Sequence, residues 1–175
     1  MRLEGRLVEL RPFGAADITP AYVSWLNDPE VVRFSNQRFA VHTAESCANY
    51  LAGFAGSPNH FLAIVHRDTG ETIGTMTAYV SPHHGTADIG ILVGDRRVWG
   101  GGFGLDAWRT LLQWLLGERG LRKVTAGTLA CNEPMLRLMR KSGMHHEASR
   151  AAQEIVAGAE LDILYFARFG DGRRP

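Results

Sequence analysis

With 19 Lys and Arg against 18 Asp and Glu in 175 residues, the chain has a formal charge of +1, which supplies no general attraction to nucleic acid or to a membrane surface. Its length suits a single domain, residues 1–175, with a sizeable core rather than two small ones. Two cysteines, Cys47 and Cys131, cannot build a disulfide framework or a C-x-x-C metal site, and no stretch approaches the roughly 18 apolar residues of a membrane span.

The opening residues Met1-Arg2-Leu3-Glu4-Gly5-Arg6 lack the apolar stretch of a secretion signal, so a cytoplasmic protein is expected. Alternation over Leu7-Val8-Glu9-Leu10-Arg11 predicts a first strand ended by Pro12. Asp17 is expected to cap a helix running toward Asn27, and Thr43 one over residues 44–55, with Pro29 interrupting the segment between them. Residues 60–66 and 71–80 are β-rich and flank a hairpin turn at Arg67-Asp68-Thr69-Gly70. After a second turn at Ser81-Pro82-His83-His84-Gly85, residues 87–93 predict another strand. The adjacent pairs His83-His84 and His145-His146 diverge on extended backbone and make no ready chelate, so no metal is expected.

From Leu105 onward Leu105, Trp108, Leu112, Leu115 and Leu116 share one helical face that should cover a sheet. Trp114 projects away from that stripe, toward either a subunit contact in a homodimer or partial cover by a loop. A strand over 123–130, a helix after Asn132 and two final strands near 144–156 and 160–169 around Ala157-Gly158 complete the pattern. Cys131 is expected to be a buried free thiol, and no residue is patterned to activate it as a nucleophile.

Between the strand ending at Val93 and the helix lies Trp99-Gly100-Gly101-Gly102-Phe103-Gly104. Glycines there let the backbone approach a ligand, and the first amides of the helix carry partial positive charge, so the junction reads as a pyrophosphate cradle. A P-loop needs Lys and then Ser or Thr after its last glycine, whereas Leu105 and Asp106 follow here. Gly102-Phe103-Gly104-Leu105-Asp106-Ala107 satisfies the dinucleotide pattern G-x-G-x-x-A, but Arg122 to Thr128 offers no acid for a ribose. A dinucleotide-binding oxidoreductase therefore stays as an alternative.

More of the chain resembles the GNAT superfamily of acetyl-CoA-dependent N-acetyltransferases, in its RimJ/RimL-like branch. The signature Q/R-x-x-G-x-G/A is met from Trp99 to Gly104 with Trp in first position; Trp25-Leu26-Asn27-Asp28-Pro29-Glu30-Val31 is similar to the branch's W-x-N-D-P-x-V; Asn132 with Lys141-Ser142-Gly143-Met144 resembles its N…K-x-G-F ending. The resemblance implies an α+β fold with a central mixed, mostly antiparallel sheet flanked by helices. It also implies transfer of acetyl from acetyl-CoA straight to a primary amine on a small molecule or peptide. A CoA-binding sensor of the same fold is the second alternative.

On that resemblance, the main chain of Ile91, Leu92 and Val93 lies beside the pantetheine. Arg97, Val98 and the glycine loop with Arg137 surround the phosphates, and Asn132 bonds the pantetheine or caps its helix. Asp88 stands where related enzymes place a catalytic Glu, with His84 as a second candidate base. Trp25, Asn27, Asn36, Arg38 and Tyr79 are the expected acceptor contacts. The tyrosine that many relatives use to protonate the leaving thiolate is replaced by Met139. Weak base machinery favours amines of low pKa. A lysine side chain is neutral about once in roughly 2,500 molecules at pH 7, an α-amine about one time in ten. A protein N-terminal α-amine or an amino sugar is the expected acceptor.

Overall fold

The computed structural model describes residues 1–170. Eight strands form one sheet in the order β1-β2-β3-β4-β5-β6-β8-β7, comprising β1 (Leu3–Glu4), β2 (Val8–Pro12), β3 (His60–His66), β4 (Thr72–Ser81), β5 (Thr86–Val93), β6 (Lys123–Leu129), β7 (His145–Val156) and β8 (Ala159–Phe169). Every neighbouring pair is antiparallel except β5 and β6. The mixed, mostly antiparallel sheet is therefore as expected, and the doubly wound parallel sheet of a dinucleotide-binding enzyme is not formed.

Helices α1 (Pro20–Asn27), α2 (Pro29–Val32) and α3 (Ala44–Ala52) cover one face, where Phe13, Tyr22, Leu26 and Phe61 make an aromatic-rich cluster. Helices α4 (Phe103–Gln113) and α5 (Glu133–Lys141) cover the other, burying Trp108, Leu111, Leu112 and Met139 against Met76, Val124 and Ala126. The helix before Asn27 begins two residues later than Asp17 suggests. Thr19 caps it, accepting from the Tyr22 amide at 3.2 Å, and Pro20 takes the first helical position. Asp17 is drawn off by Arg11, with two bonds of 2.7 Å, and by the Gly14 amide. Burial alone would raise its carboxyl pKa, but these partners outweigh it and leave a net lowering.

Trp114 is buried within the chain, its ring edge-on to His60 at 5.0 Å, so it offers no subunit contact. The reason is a widened turn, Trp114–Glu118, in which the Arg119 amide reaches the Trp114 carbonyl and the 3.6-residue period fails.

The N-terminal strands are tied to α4 by Asp106. Its carboxylate accepts from the amides of Arg6 (3.2 Å), Leu7 (2.7 Å) and Val8 (3.1 Å). Asp106→Ala leaves these donors without a partner, at about 2–3 kcal/mol. The melting temperature should fall by roughly 5–10 °C; an unchanged thermal midpoint would show that the tie carries no stability.

Candidate active site

Parallel pairing of β5 with β6 lasts only three residues, Thr86↔Lys123 to Asp88↔Thr125, after which the strands splay. Along β5 the backbone groups alternate in direction. The Gly94 amide bonds Ile73, whereas the Val93 carbonyl takes the Trp99 indole N–H at 2.8 Å on the opposite edge. By that alternation Ile91 and Val93 turn their main-chain groups into the splay, while Leu92 faces its partner Thr75 on β4. A groove of about 940 Å³ occupies this opening.

One wall is the glycine loop. Gly100 and Gly102 hold φ of 78° and 87°, the left-handed region, and Gly102 stands as the cap of α4 with no side chain to satisfy the following amides. The loop thus aims unpartnered N–H groups outward. Asp106, in the first turn, would repel an anion, but its charge is directed back onto the amides of Leu7 and Val8. Val98, Trp99, Gly100, Gly102, Phe103 and Gly104 line the groove, and α5 faces them with Arg137 and Lys141.

A second, polar cavity of about 360 Å³ lies on the α1–α3 face and shares Phe34, Gly127 and Thr128 with the groove. Asp88 lines it, accepting from the Thr125 hydroxyl at 2.7 Å. The carboxylate is open to water at its edge, yet it sits low in a concave wall. Loss of surrounding water raises its pKa and outweighs the opposing Thr125 bond.

Residues 7–145 match the family described as Acetyltransferase (GNAT) domain. The chain belongs to the GNAT acetyltransferase family. Across 95% of this chain and 92% of the relative, it is 28% identical to an uncharacterized N-acetyltransferase, p20, of Bacillus licheniformis. Among solved structures, a GNAT-family acetyltransferase from Bacillus anthracis superposes with a TM-score of 0.83 at 20% identity, covering 97% of this chain and 98% of that one. RimL, a ribosomal L7/L12 alpha-N-protein acetyltransferase in complex with coenzyme A, does so with a TM-score of 0.84 at 16% identity, covering 99% and 100%. Both solved structures share this fold over nearly the whole chain.

The GNAT fold gathers only part of the expected site. Gly101 stays outside the groove lining, and Arg97 does too, because Asp95 captures its guanidinium at 2.7 Å. Asn132 lines the groove while doing its capping work: Oδ1 accepts from Met135 at 3.3 Å, Nδ2 donates to Thr128 at 3.0 Å, and one N–H is left over. His84 lies outside both spaces. It sits on the turn beyond the closed end of the β5–β6 pair, where its carbonyl takes the Arg122 Nε at 2.6 Å.

Of the acceptor candidates, Asn36 lines the polar cavity, and Arg38 stands behind it, 3.6 Å from Glu154. Tyr79 bonds the Tyr50 hydroxyl at 2.7 Å beside Asp88, its cross-strand partner. Trp25 and Asn27 line neither space. Trp25 packs flat on the Gly94 backbone, where any side chain would collide with its ring, and Asn27 clamps His42 through both main-chain groups. Met139 is fully buried in the core, so its side chain faces away from the groove. Cys131 is exposed on the turn before α5 rather than buried, and lines neither space.

Several lining residues escaped sequence reasoning. Arg33, just after α2, and Tyr50 on α3 reach the groove, while Arg150, Gln153 and Tyr165 enclose the cavity from the last hairpin. Burial and the bond to Tyr79 push the Tyr50 phenol up, so it stays protonated. Their only sequence signal is residue type, since long-range pairing decides which face they share. Among the described residues no group of three or more His, Cys, Asp or Glu is placed to hold a metal ion, and no helix is long and apolar enough to cross a membrane.

Proposed function

We propose that the protein transfers an acetyl group from acetyl-CoA directly to a primary amine of low pKa, a protein N-terminal α-amine or an amino sugar. The observation that carries this reading is the meeting of the donor-shaped groove and the polar cavity at Gly127 and Thr128, beside Asp88. Anion-seeking amides of the loop, with Arg137 and Lys141, suit a pyrophosphate and a 3′-phosphate at one end. The open edge of β5 suits an extended amide-bearing arm, added like a strand.

In the reaction an N–C bond forms as the thioester C–S bond breaks. The amine loses a proton, and sulfur leaves as a thiolate that gains one. Asp88, with its raised pKa, is suited to take the amine's proton through water, and the Ile91 or Val93 amide to hold the developing oxyanion. No covalent enzyme intermediate is required, in keeping with Cys131 lying outside both spaces.

Initial rates of thiol release with acetyl-CoA and a panel of amines test the reading. Release should be fastest with α-amines or amino sugars at neutral pH. Fastest reaction of lysine side chains would contradict the acceptor assignment, and tight acetyl-CoA binding without thiol release from any amine would point to a sensor instead.

A further inference from the structure

The far end of the polar cavity is shaped by an irregularity in the last hairpin. β7 and β8 pair as Arg150↔Ile163 and next as Glu154↔Leu161, so β7 carries two extra residues between these points. Within the bulge Ala152 holds φ of 48°, a left-handed conformation uncommon for a residue with a side chain, and its amide is fastened to the Asp162 carboxylate at 2.9 Å. Bulges beside functional sites re-aim side chains, and this one brings Gln153 and Glu154 to the cavity lining.

Arg150, just before the bulge, also lines the cavity. Its guanidinium lies over the Tyr165 ring at 5.0 Å. That ring packs on Gly127, where an added Cβ would come within 2.8 Å of it. The pairs Asp88↔Thr125, Gly127↔Tyr165 and Arg150↔Ile163 place Asp88, Tyr165 and Arg150 on one face of the sheet. Glu154 is matched by Arg38 and Asn36, at 3.6 and 3.5 Å. Arg150, by contrast, has no carboxylate within ion-pair distance among the described residues.

We infer that Arg150 selects the acceptor, and that the acceptor is a primary amine bearing an anionic group, a carboxylate or phosphate, on the same molecule. The amine end meets Asp88 and the anion meets Arg150, whose planar fork matches either oxyanion bidentately. Their strands stand three spacings apart in the order β5-β6-β8-β7, roughly 14 Å, and both side chains line the same cavity between them. A free amino acid's own carboxylate is too close to its amine to engage both. An acidic side chain near a peptide's N-terminus, or a phosphate on an amino sugar, has the needed reach. This inference rests on the acetyl-transfer reading of the same site.

The test is initial-rate kinetics at saturating acetyl-CoA with two matched sets: peptides differing only in Glu, Gln or Lys at the second position, and an amino sugar with or without a 6-phosphate. The acidic member of at least one set should show a kcat/KM roughly tenfold or more above its neutral counterpart, as charged hydrogen bonds imply; the responding set identifies the source. Arg150→Glu should reverse the ranking in favour of the Lys peptide, while Arg150→Lys retains part of the preference. Equal rates across both sets, or an unchanged ranking in Arg150→Glu, overturns the inference and leaves acetyl transfer standing. Acetyl-CoA binding without thiol release from any amine overturns both. Thermal protection by acetyl-CoA shows that each variant is folded.

Discussion

Replacing Asp88 by Asn is expected to lower kcat by about 100-fold, the usual contribution of a positioned general base, while leaving the KM for acetyl-CoA nearly unchanged. The substitution is close to isosteric, and the Thr125 hydroxyl can still donate to the remaining oxygen. Because burial raises the Asp88 pKa, its charged form is less favourable in the folded chain than in the unfolded one. Removing the charge should therefore not reduce stability at neutral pH, which separates lost chemistry from lost folding.

The pH profile carries the same logic. Asp88 must be ionised to accept a proton, so the wild-type rate should fall as pH drops through a pKa above the ordinary aspartate value of about 3.9. That acid limb should vanish in Asp88→Asn. An identical limb in the variant, or full activity, would assign proton removal to solvent or another group.

Gly102→Val is expected to cost about 2–3 kcal/mol of acetyl-CoA binding, because a β-branched residue is an outlier at φ of 87°. That corresponds to a roughly 30- to 150-fold rise in the KM for acetyl-CoA. The cost is conformational rather than crowding within the protein, since the nearest atom to an added Cβ is Leu7 Cδ1 at 3.8 Å. If the backbone relaxes to a negative φ, the Phe103 and Gly104 amides lose their aim; if it does not, the side chain projects into the groove. Gly102→Ala should fall between wild type and Gly102→Val. Calorimetric titration with CoA measures both, and unchanged affinity in Gly102→Val would show that the loop does not hold the phosphates.

Local signals explain what was legible in the sequence. Glycines with positive φ, a strand on one side and a 3.6-residue stripe on the other identify the junction at Gly100–Gly104 without tertiary information, and hairpin turns at Gly70 and Gly158 mark their strands. Errors arise where two local partners compete or where a regular period breaks. Asp17 can cap a helix, but Arg11 across the fold outbids that role; Arg97 can reach a phosphate, but Asp95 is two residues away. Trp114 leaves the helical stripe only on the assumption of a regular helix, and the widened turn removes it.

The acceptor side was least visible. Arg150 and Tyr165 join Asp88 only through the order β5-β6-β8-β7, and Gln153 and Glu154 turn inward only through the bulge at Ala152. Neither the strand order nor a two-residue slip in pairing leaves a periodic trace in the chain. His84, two residues before β5's first paired position with β6, fails for the complementary reason: closeness in sequence to Asp88 puts it past the closed end of the sheet opening rather than within it.

The central claim is that the donor lies in the splay between β5 and β6, with its reactive end beside Asp88. A crystal structure with coenzyme A bound tests it most directly. The account predicts the pyrophosphate on the amides following Gly102, the pantetheine bonded to the main chain of Ile91, and the sulfur at the junction lined by Gly127 and Thr128. Coenzyme A bound elsewhere, or a thiol end turned away from Asp88, would contradict it.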